Sequence, residues 1–153
     1  MDVKFVQAES GDELATVAEL FREYEAWLDD ERCFTNLRNE LADMPGRYAA
    51  PDGRLVLVVA DGDVVGCGAL RRFDDHSHEL KRIYLREQVR GYGIGRRLVE
   101  WLIAEALEMG STRIVLDTLP KMEVAIQLYE KLGFRPTADQ PEDGFKIIME
   151  RTY

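Results

Sequence analysis

Apolar residues recur at helical spacing along two stretches in the N-terminal third of the chain. Ser10 and Glu13 form a capping-box pattern, which predicts the start of a first helix. The apolar stripe of that helix consists of Leu14, Val17, Ala18, Phe21, Tyr24 and Leu28. A second, shorter helix is expected over about 35–44, because Pro45 and Gly46 end the pattern. Its apolar side consists of Leu37, Leu41 and Met44.

Two further helices are expected in the C-terminal half. One begins at Ile94 and ends near Gly110, and its stripe continues with Leu98, Trp101, Leu102 and Ala106. Pro120 suits the first helical position of the other, and Gly133 suits the residue just after its end. The stripe of this last helix consists of Ala125, Leu128, Tyr129 and Leu132.

Strand patterns fill the segments between these helices. Residues 3–8 alternate between apolar and polar, and the continuous apolar run 55–60 predicts a strand buried on both faces. Asp61 and Gly62 form a turn that leads into a partner strand at 64–72. Further strands are expected at 79–85, 113–118 and 145–150. Because a helix connects the first two of these, they are expected to pair in parallel. The predicted order is β-α-α-β-β-β-α-β-α-β, an α/β fold with a mixed sheet in one domain, 1–153.

Composition and charge narrow the class of protein. The chain has 153 residues and a formal net charge of −9, and this acidic balance argues against nucleic-acid binding. No apolar run approaches the roughly 18 residues of a membrane span, and the N-terminus lacks the apolar segment of a signal peptide, so a cytoplasmic protein without a membrane partner is expected. Cys33 and Cys67 are far apart, and His76 and His78 lack a third His or a clustered Cys, so no metal site is expected.

A glycine-rich, basic turn separates the strand at 79–85 from the helix that begins at Ile94. Between residues 81 and 97, Glu87 is the one acidic residue, and the basic residues are Lys81, Arg82, Arg86, Arg90, Arg96 and Arg97. A helix entered through glycines exposes backbone N–H groups at its positive end and lets an anion approach closely. The pattern predicts a phosphate-binding turn, and the alternative is an ordinary turn with solvated arginines.

The spacing of this turn distinguishes between known phosphate-binding patterns. The P-loop and dinucleotide-binding glycine spacings are both absent. Arg90, Gly93 and Gly95 instead match R-x-x-G-x-G, and residues 125–134 match A-x-x-L-Y-x-x-x-G-F. The two motifs in this order resemble the GNAT superfamily of N-acetyltransferases, and the resemblance covers about residues 54–151. It implies the GNAT fold, with acetyl-CoA as the acyl donor.

The resemblance also implies how the donor binds. The main chain of Ile83, Tyr84 and Leu85 would pair with the pantetheine arm as an added strand. The backbone amides of the turn would hold the pyrophosphate, and the residues concerned are Arg90, Gly91, Tyr92, Gly93, Ile94, Gly95 and Arg96. Met122 departs from the family pattern, because many members have at this position an asparagine that contacts the cofactor arm.

Transfer of an acyl group from a thioester to an amine needs a deprotonated amine and a proton for the departing thiolate. The resemblance implies that Tyr129 donates this proton, and the alternative is a core aromatic residue with a locally bonded hydroxyl. Glu79 is the first candidate for the base, acting through water. The alternative for Glu79 is an edge charge paired with Lys81 or Arg82. His76 and His78 are further candidate bases, because the ordinary pKa of histidine lies near neutral pH. The alternative is that both are plain surface residues.

Two functions fit the sequence: an N-acetyltransferase acting on a primary amine of a small molecule or peptide, or a GNAT-fold acyl-CoA-binding or regulatory module with little or no transfer activity. Acidic residues of the N-terminal helices predict a cationic amine if they face the acceptor, and the alternative is a solvated surface. These acids are Asp12, Glu13, Glu19, Glu23, Glu25, Asp29, Asp30, Glu31, Glu40 and Asp43. Analogy with the family also allows a homodimer.

Overall fold

The computed structural model describes residues 1–30 and 36–153. Its helices and strands, in chain order, are β1 Val3–Gln7, α1 Gly11–Leu28, α2 Leu37–Ala42, β2 Arg54–Ala60, β3 Asp63–Asp74, β4 Ser77–Leu85, α3 Ile94–Glu108, β5 Arg113–Thr118, α4 Glu123–Lys131, β6 Arg135–Pro136 and β7 Ile147–Thr152. None of the helices in these ranges is long and apolar enough to cross a membrane.

The strands form one mixed sheet in the order β1-β2-β3-β4-β5-β7-β6. Neighbouring strands are antiparallel except β4 and β5, which pair in parallel as expected. Successive side chains of β2 point to opposite faces of the sheet, and each face belongs to a separate core layer. Val56 and Val58 pack with α3 and α4 on one face, and Leu55 and Leu57 pack with α1 on the other. The prediction that this strand is buried on both faces is confirmed.

Local signals explain where the first helix begins and ends. The Ser10 hydroxyl accepts a hydrogen bond from the Glu13 amide at 3.1 Å, and the Glu13 carboxylate accepts one from the Ser10 amide at 3.0 Å. This reciprocal pair is the predicted capping box, and it satisfies two N–H groups that a helix start leaves unpaired. At the other end Asp29 adopts a left-handed conformation with φ of 53°, which stops the helix.

Several element boundaries differ from the sequence prediction. Helix α4 begins at Glu123 rather than Pro120, because the Met122 amide bonds the Leu119 carbonyl in a turn before it. Strand β7 lies two residues later than expected, and Arg113 pairs with Thr152 at its end. Strand β6 was not expected. The predicted helix start at residue 35, Glu31 and Cys33 lie outside the described residues.

The sheet opens between its two parallel strands. Pairing of β4 with β5 covers Ser77–Glu79 and Arg113–Val115 and does not continue beyond them. Strand β4 carries an extra residue against β3, because Lys81 pairs with Ala69 and Tyr84 pairs with Cys67. Arg82 lies within this bulge, in a left-handed conformation with φ of 57°. A bulge bends its strand and ends regular pairing, so the carboxyl ends of β4 and β5 separate.

Candidate active site

A cavity of about 120 Å³ lies where β4 and β5 separate. Residues 80–83 of β4 form one wall, and residues 116–119 form the opposite wall. Helix α1 contributes Tyr24 and Leu28, and helix α4 contributes the residues Ala125, Leu128 and Tyr129. In α/β sheets, ligands bind at the carboxyl ends of parallel strands, so the cavity stands where a substrate is expected.

Tyr129 is the predicted acid, and α4 places it in this cavity. Tyr129 is 7% exposed, and its ring forms an edge-to-face pair with the ring of Phe134 at a centroid distance of 5.9 Å. Within the described residues the Tyr129 hydroxyl makes no hydrogen bond, so the alternative of a locally bonded core tyrosine finds no partner there. Burial raises the pKa of Tyr129 above its ordinary value, and the nearby Tyr24 and Asp117 add to this effect. The phenol is therefore protonated at neutral pH and able to donate.

Glu79 lies beside the cavity rather than among its lining residues. It is 8% exposed, and its carboxylate accepts a hydrogen bond from Arg71 Nε at 2.8 Å. This partner differs from the expected Lys81 or Arg82, because Arg71 is the residue opposite Glu79 in the β3–β4 hairpin. Glu79 is also the last residue of β4 that pairs with β5. The carboxylate therefore stands at the edge of the opening, held by an arginine.

The two histidines lie away from the cavity. His76 is exposed in the turn between β3 and β4, and at a strand rise of about 3.3 Å per residue it is roughly 16 Å from Lys81. His78 is fully buried, and its Nε2 donates to the Asp52 carbonyl at 2.9 Å. Neither lines the cavity. The alternative that they are plain surface residues fits the exposed His76 and is wrong for His78, which is buried within β4.

The glycine-rich turn presents unpaired N–H groups, as a phosphate site requires. Gly93 caps α3 in a left-handed conformation with φ of 77°, and no side chain among the described residues accepts a hydrogen bond at this end. The first intrahelical bond runs from the Arg97 amide to the Gly93 carbonyl, so the amides of Ile94, Gly95 and Arg96 face outward. No atom lies within 4 Å of the place where a Cβ at Gly93 would stand. An anion has both space and donors there.

The arginines of the turn are partly engaged by protein groups. Arg90 folds back, so that its Nε donates to the Leu85 carbonyl at 2.9 Å and its guanidinium lies 4.6 Å from the centre of the Trp27 ring. Arg96 pairs with Glu100 one turn along α3. Tyr92 is 66% exposed. The backbone of the turn, rather than these side chains, offers the free donors.

The edge of β4 that faces the cavity is open for pairing. From Leu80 to Leu85 this strand has no backbone ladder with β5. This stretch contains the residues expected to pair with a pantetheine arm: Ile83, Tyr84 and Leu85. An unpaired strand edge is what an extended ligand needs in order to add as a further strand.

Sequence analysis missed the charged groups on the cavity wall. Lys81 and Lys146 both approach the Asp117 carboxylate, at 3.9 and 3.7 Å. Arg82 instead forms an ion pair with Glu40 of α2. Burial opposes ionisation of Glu40, but hydrogen bonding and charge from Arg82 outweigh it and lower the pKa of that carboxyl. These groups come from β4, β5, α2 and the residue before β7 and meet only in the folded chain, so no local pattern could reveal them.

Metal ligands do not cluster in the described parts of the chain. Across residues 1–30 and 36–153, no group of three or more His, Cys, Asp or Glu side chains could hold a metal ion. The features of the site are the cavity-lining Tyr129, Glu79 bound to Arg71, the open edge of β4 and the uncapped start of α3.

Comparison with known proteins identifies the family. The sequence profile of the Acetyltransferase (GNAT) family matches residues 12–134. An uncharacterised N-acetyltransferase of Schizosaccharomyces pombe is 35% identical over 121 residues, which cover 77% of this chain and 74% of that protein. The crystal structure of an acetyltransferase from Streptococcus agalactiae has the same fold, with a TM-score of 0.79 at 24% identity and coverage of 99% of this chain and 98% of that one.

A solved relative also carries the acyl donor. This GNAT family acetyltransferase from Elizabethkingia anophelis, with acetyl-CoA bound, has a TM-score of 0.58 at 25% identity and covers 67% of this chain and 77% of that one. The resemblance and the fold class predicted from the sequence are confirmed. The chain belongs to the GNAT family and is an acetyl-CoA-dependent acetyltransferase.

Proposed function

We propose that the chain, acting as one domain over residues 1–153, transfers the acetyl group of acetyl-CoA directly to a primary amine of a small molecule or peptide. One observation carries this proposal: the protonated Tyr129 hydroxyl lies in the cavity where β4 and β5 separate and has no hydrogen-bond partner among the described residues. A phenol that lines a cavity and has no protein partner there keeps its donor for a ligand.

The donor would lie along the opening between the strands. Backbone amides from Arg90 to Arg96, at the uncapped start of α3, would bind the pyrophosphate. The open edge at Ile83 to Leu85 would pair with the pantetheine arm, and the thioester would then reach Tyr129. The structure offers the space and the donors that this placement needs, since β5 leaves that edge unpaired.

The chemistry needs two proton transfers and no covalent enzyme intermediate. The nitrogen of the neutral amine bonds to the acyl carbon as the bond from that carbon to sulfur breaks, and the nitrogen loses one N–H proton. Tyr129 gives its proton to the departing sulfur, and Glu79 takes the proton of the amine through a bridging water. The amine proton and the phenol proton are thus both accounted for. Bulk solvent reprotonates Tyr129 and deprotonates Glu79 after the products leave.

A second function is favoured by one specific residue. Met122 is the N-cap of α4, lines the cavity and makes no side-chain capping hydrogen bond. It lacks the polar group that many family members use on the cofactor arm. A chain that binds acyl-CoA without transferring the acyl group is therefore the alternative.

Release of CoA thiol from acetyl-CoA tests the proposal. The purified protein is assayed with pooled polyamines, amino acids, aminoglycosides and basic peptides, and the acetylated product of an active pool is identified by mass spectrometry. We expect amine-dependent release above the rate without amine, and we expect Tyr129→Phe to lose it while still binding acetyl-CoA in calorimetry. Binding without any amine-dependent release would support the alternative.

A further inference from the structure

The charges on the cavity wall are predominantly positive. The cavity is lined by the cationic side chains of Lys81, Arg82 and Lys146, and by one carboxylate, Asp117. Glu40 compensates Arg82, which leaves two ammonium groups beside one carboxylate. Within residues 1–30 and 36–153, the wall therefore carries one positive charge that no cavity-lining residue neutralises.

The two ammonium groups also have unused hydrogen-bond donors. Their distances to the Asp117 carboxylate, 3.9 and 3.7 Å, exceed the length of a charge-assisted hydrogen bond. Among the described residues, neither Lys81 nor Lys146 makes any hydrogen bond, although each ammonium has three donors. Both side chains are mostly buried, at 16% and 28% exposure. Burial lowers the pKa of Lys81, and Asp117 offsets this only partly.

Two of the acids that could have drawn a cationic acceptor are held by arginines. Glu40 binds Arg82, and Glu23 binds Arg86, both within the α1–α2 side of the sheet. Among the lining residues that the structure describes, Asp117 is the one carboxylate, and it is shared by two lysines. A positively charged acceptor would gain little from this wall.

We propose that the acceptor amine carries a carboxylate, as a free amino acid does, and that Lys81 and Lys146 bind this carboxylate beside Tyr129. This inference rests on the proposed transfer to a primary amine and differs from the cationic acceptor that the sequence predicts. The carboxylate of the acceptor neutralises the excess positive charge of the cavity wall, since two ammonium groups then face two carboxylates. The same cavity holds the phenol, so the amine of a bound amino acid lies next to the thioester.

Matched amines test the proposal directly. The proteinogenic amino acids, their carboxamides and the corresponding amines without the carboxyl group are compared as acceptors by kcat/KM. We expect the best amino acid to exceed its own carboxamide by about tenfold or more, the worth of one hydrogen bond to a charged group. Equal or better use of the carboxamide and the decarboxylated amine would overturn the proposal.

Substitution of each lysine tests whether Lys81 and Lys146 cause the preference for an amino acid over its carboxamide. Lys81→Gln and Lys146→Gln should each reduce the ratio of amino acid to carboxamide by about threefold or more, because each removes one charge but keeps a polar group. The Michaelis constant for acetyl-CoA should stay unchanged. Lys131→Gln is the matched control, since Lys131 is exposed on α4 and does not line this cavity. A ratio that survives both lysine variants would contradict the assignment.

Binding of products separates this proposal from the proposed function. Calorimetry compares N-acetyl amino acids with their carboxamides on the complex with CoA. Tighter binding of the carboxylate forms, lost in Lys81→Gln and Lys146→Gln, would support the carboxylate site even if no amine in any pool were acetylated. In that case the transfer proposal alone would fail. Equal binding of the acid and carboxamide forms would refute the carboxylate site.

Discussion

Glu79 and Val115 form the last backbone pair between β4 and β5. The next residues along each strand, Leu80 and Leu116, already line the cavity. The site thus begins one residue beyond the end of the parallel ladder, at the carboxyl ends of the two strands. The open strand edge and the uncapped start of α3 follow on β4 within the same stretch of chain. One strand and the helix after it therefore supply both expected contacts with acetyl-CoA.

Gly95→Ala tests the placement of the donor. A Cβ at Gly95 would lie 3.6 Å from Leu85 Cδ1 and 3.9 Å from Leu128 Cδ2, so the methyl group fits the protein but narrows the gap between β4 and α4. Alanine also favours a helix over glycine by about 1 kcal/mol. We expect an unchanged or higher melting temperature with a Michaelis constant for acetyl-CoA raised about tenfold. This combination cannot arise from unfolding.

Gly11→Ala is the control for that substitution. Gly11 opens α1, and no atom lies within 4 Å of its added Cβ. It should raise stability slightly and leave the Michaelis constant for acetyl-CoA as it was. If Gly95→Ala behaved in the same way, the gap between β4 and α4 would not be the path of the donor.

Tyr129→Phe tests the acid. We expect kcat to fall about 100-fold, the usual scale for losing a general acid. Because the hydroxyl has no hydrogen bond within the described residues, the free energy of unfolding and the dissociation constant of acetyl-CoA should change little. Tyr153→Phe, at a tyrosine that is 41% exposed, serves as the control. Wild-type kcat in Tyr129→Phe would remove the residue from the mechanism.

Glu79→Gln tests the base. Glutamine keeps an oxygen that can accept the hydrogen bond from Arg71, so the fold should persist. We expect kcat/KM to fall about 100-fold at neutral pH, because the group that accepts the amine proton is gone. A near-normal rate would mean that Glu79 serves only as the partner of Arg71.

Local patterns predicted most of the fold. The capping box at Ser10 and Glu13 and the glycine at the end of α4 are signals that act over a few residues, and the structure confirms the elements they mark. The errors fall at element ends, namely the start of α4 and the ends of two strands. Strand β7 shifts by two residues and β6 forms because their ladders satisfy backbone groups of neighbouring strands. Such pairing depends on sheet order, which hydrophobic spacing does not encode.

For the candidate site, too, the features set by local sequence could be predicted and those set by long-range pairing could not. The predicted phosphate-binding turn is continuous in sequence, so its glycine spacing and arginines could be recognised together. Lys81 and Asp117 are 36 positions apart and meet only because β4 and β5 are neighbours. Likewise, the partner of Glu79 follows from the register of a hairpin and not from the charges next to it. The cross-strand partner Arg71 lies eight positions from Glu79 in sequence, so the charges next to Glu79 could not reveal it.

His78 makes the stability of the fold depend on pH. Its Nε2–H donates to the Asp52 carbonyl, which leaves Nδ1 buried and, within the described residues, without a partner. Burial lowers the pKa of His78, the positive charges of Arg72 and Arg54 lower it further, and the hydrogen bond to Asp52 opposes this. The folded chain therefore holds His78 neutral at a pH where the unfolded chain already binds a proton.

The sign of the effect follows from this difference. Below about pH 6.5, the ordinary pKa of histidine, the unfolded state binds more protons, so the free energy of unfolding falls by up to about 1.4 kcal/mol per pH unit until the folded pKa is reached. His78→Gln keeps a donor for the Asp52 carbonyl and cannot titrate, so this part of the slope should vanish between pH 7 and about pH 5. Urea unfolding at each pH measures it, with His76→Gln as the exposed control. Parallel slopes for wild type and His78→Gln would show that the buried ring is protonated as readily as in the unfolded chain.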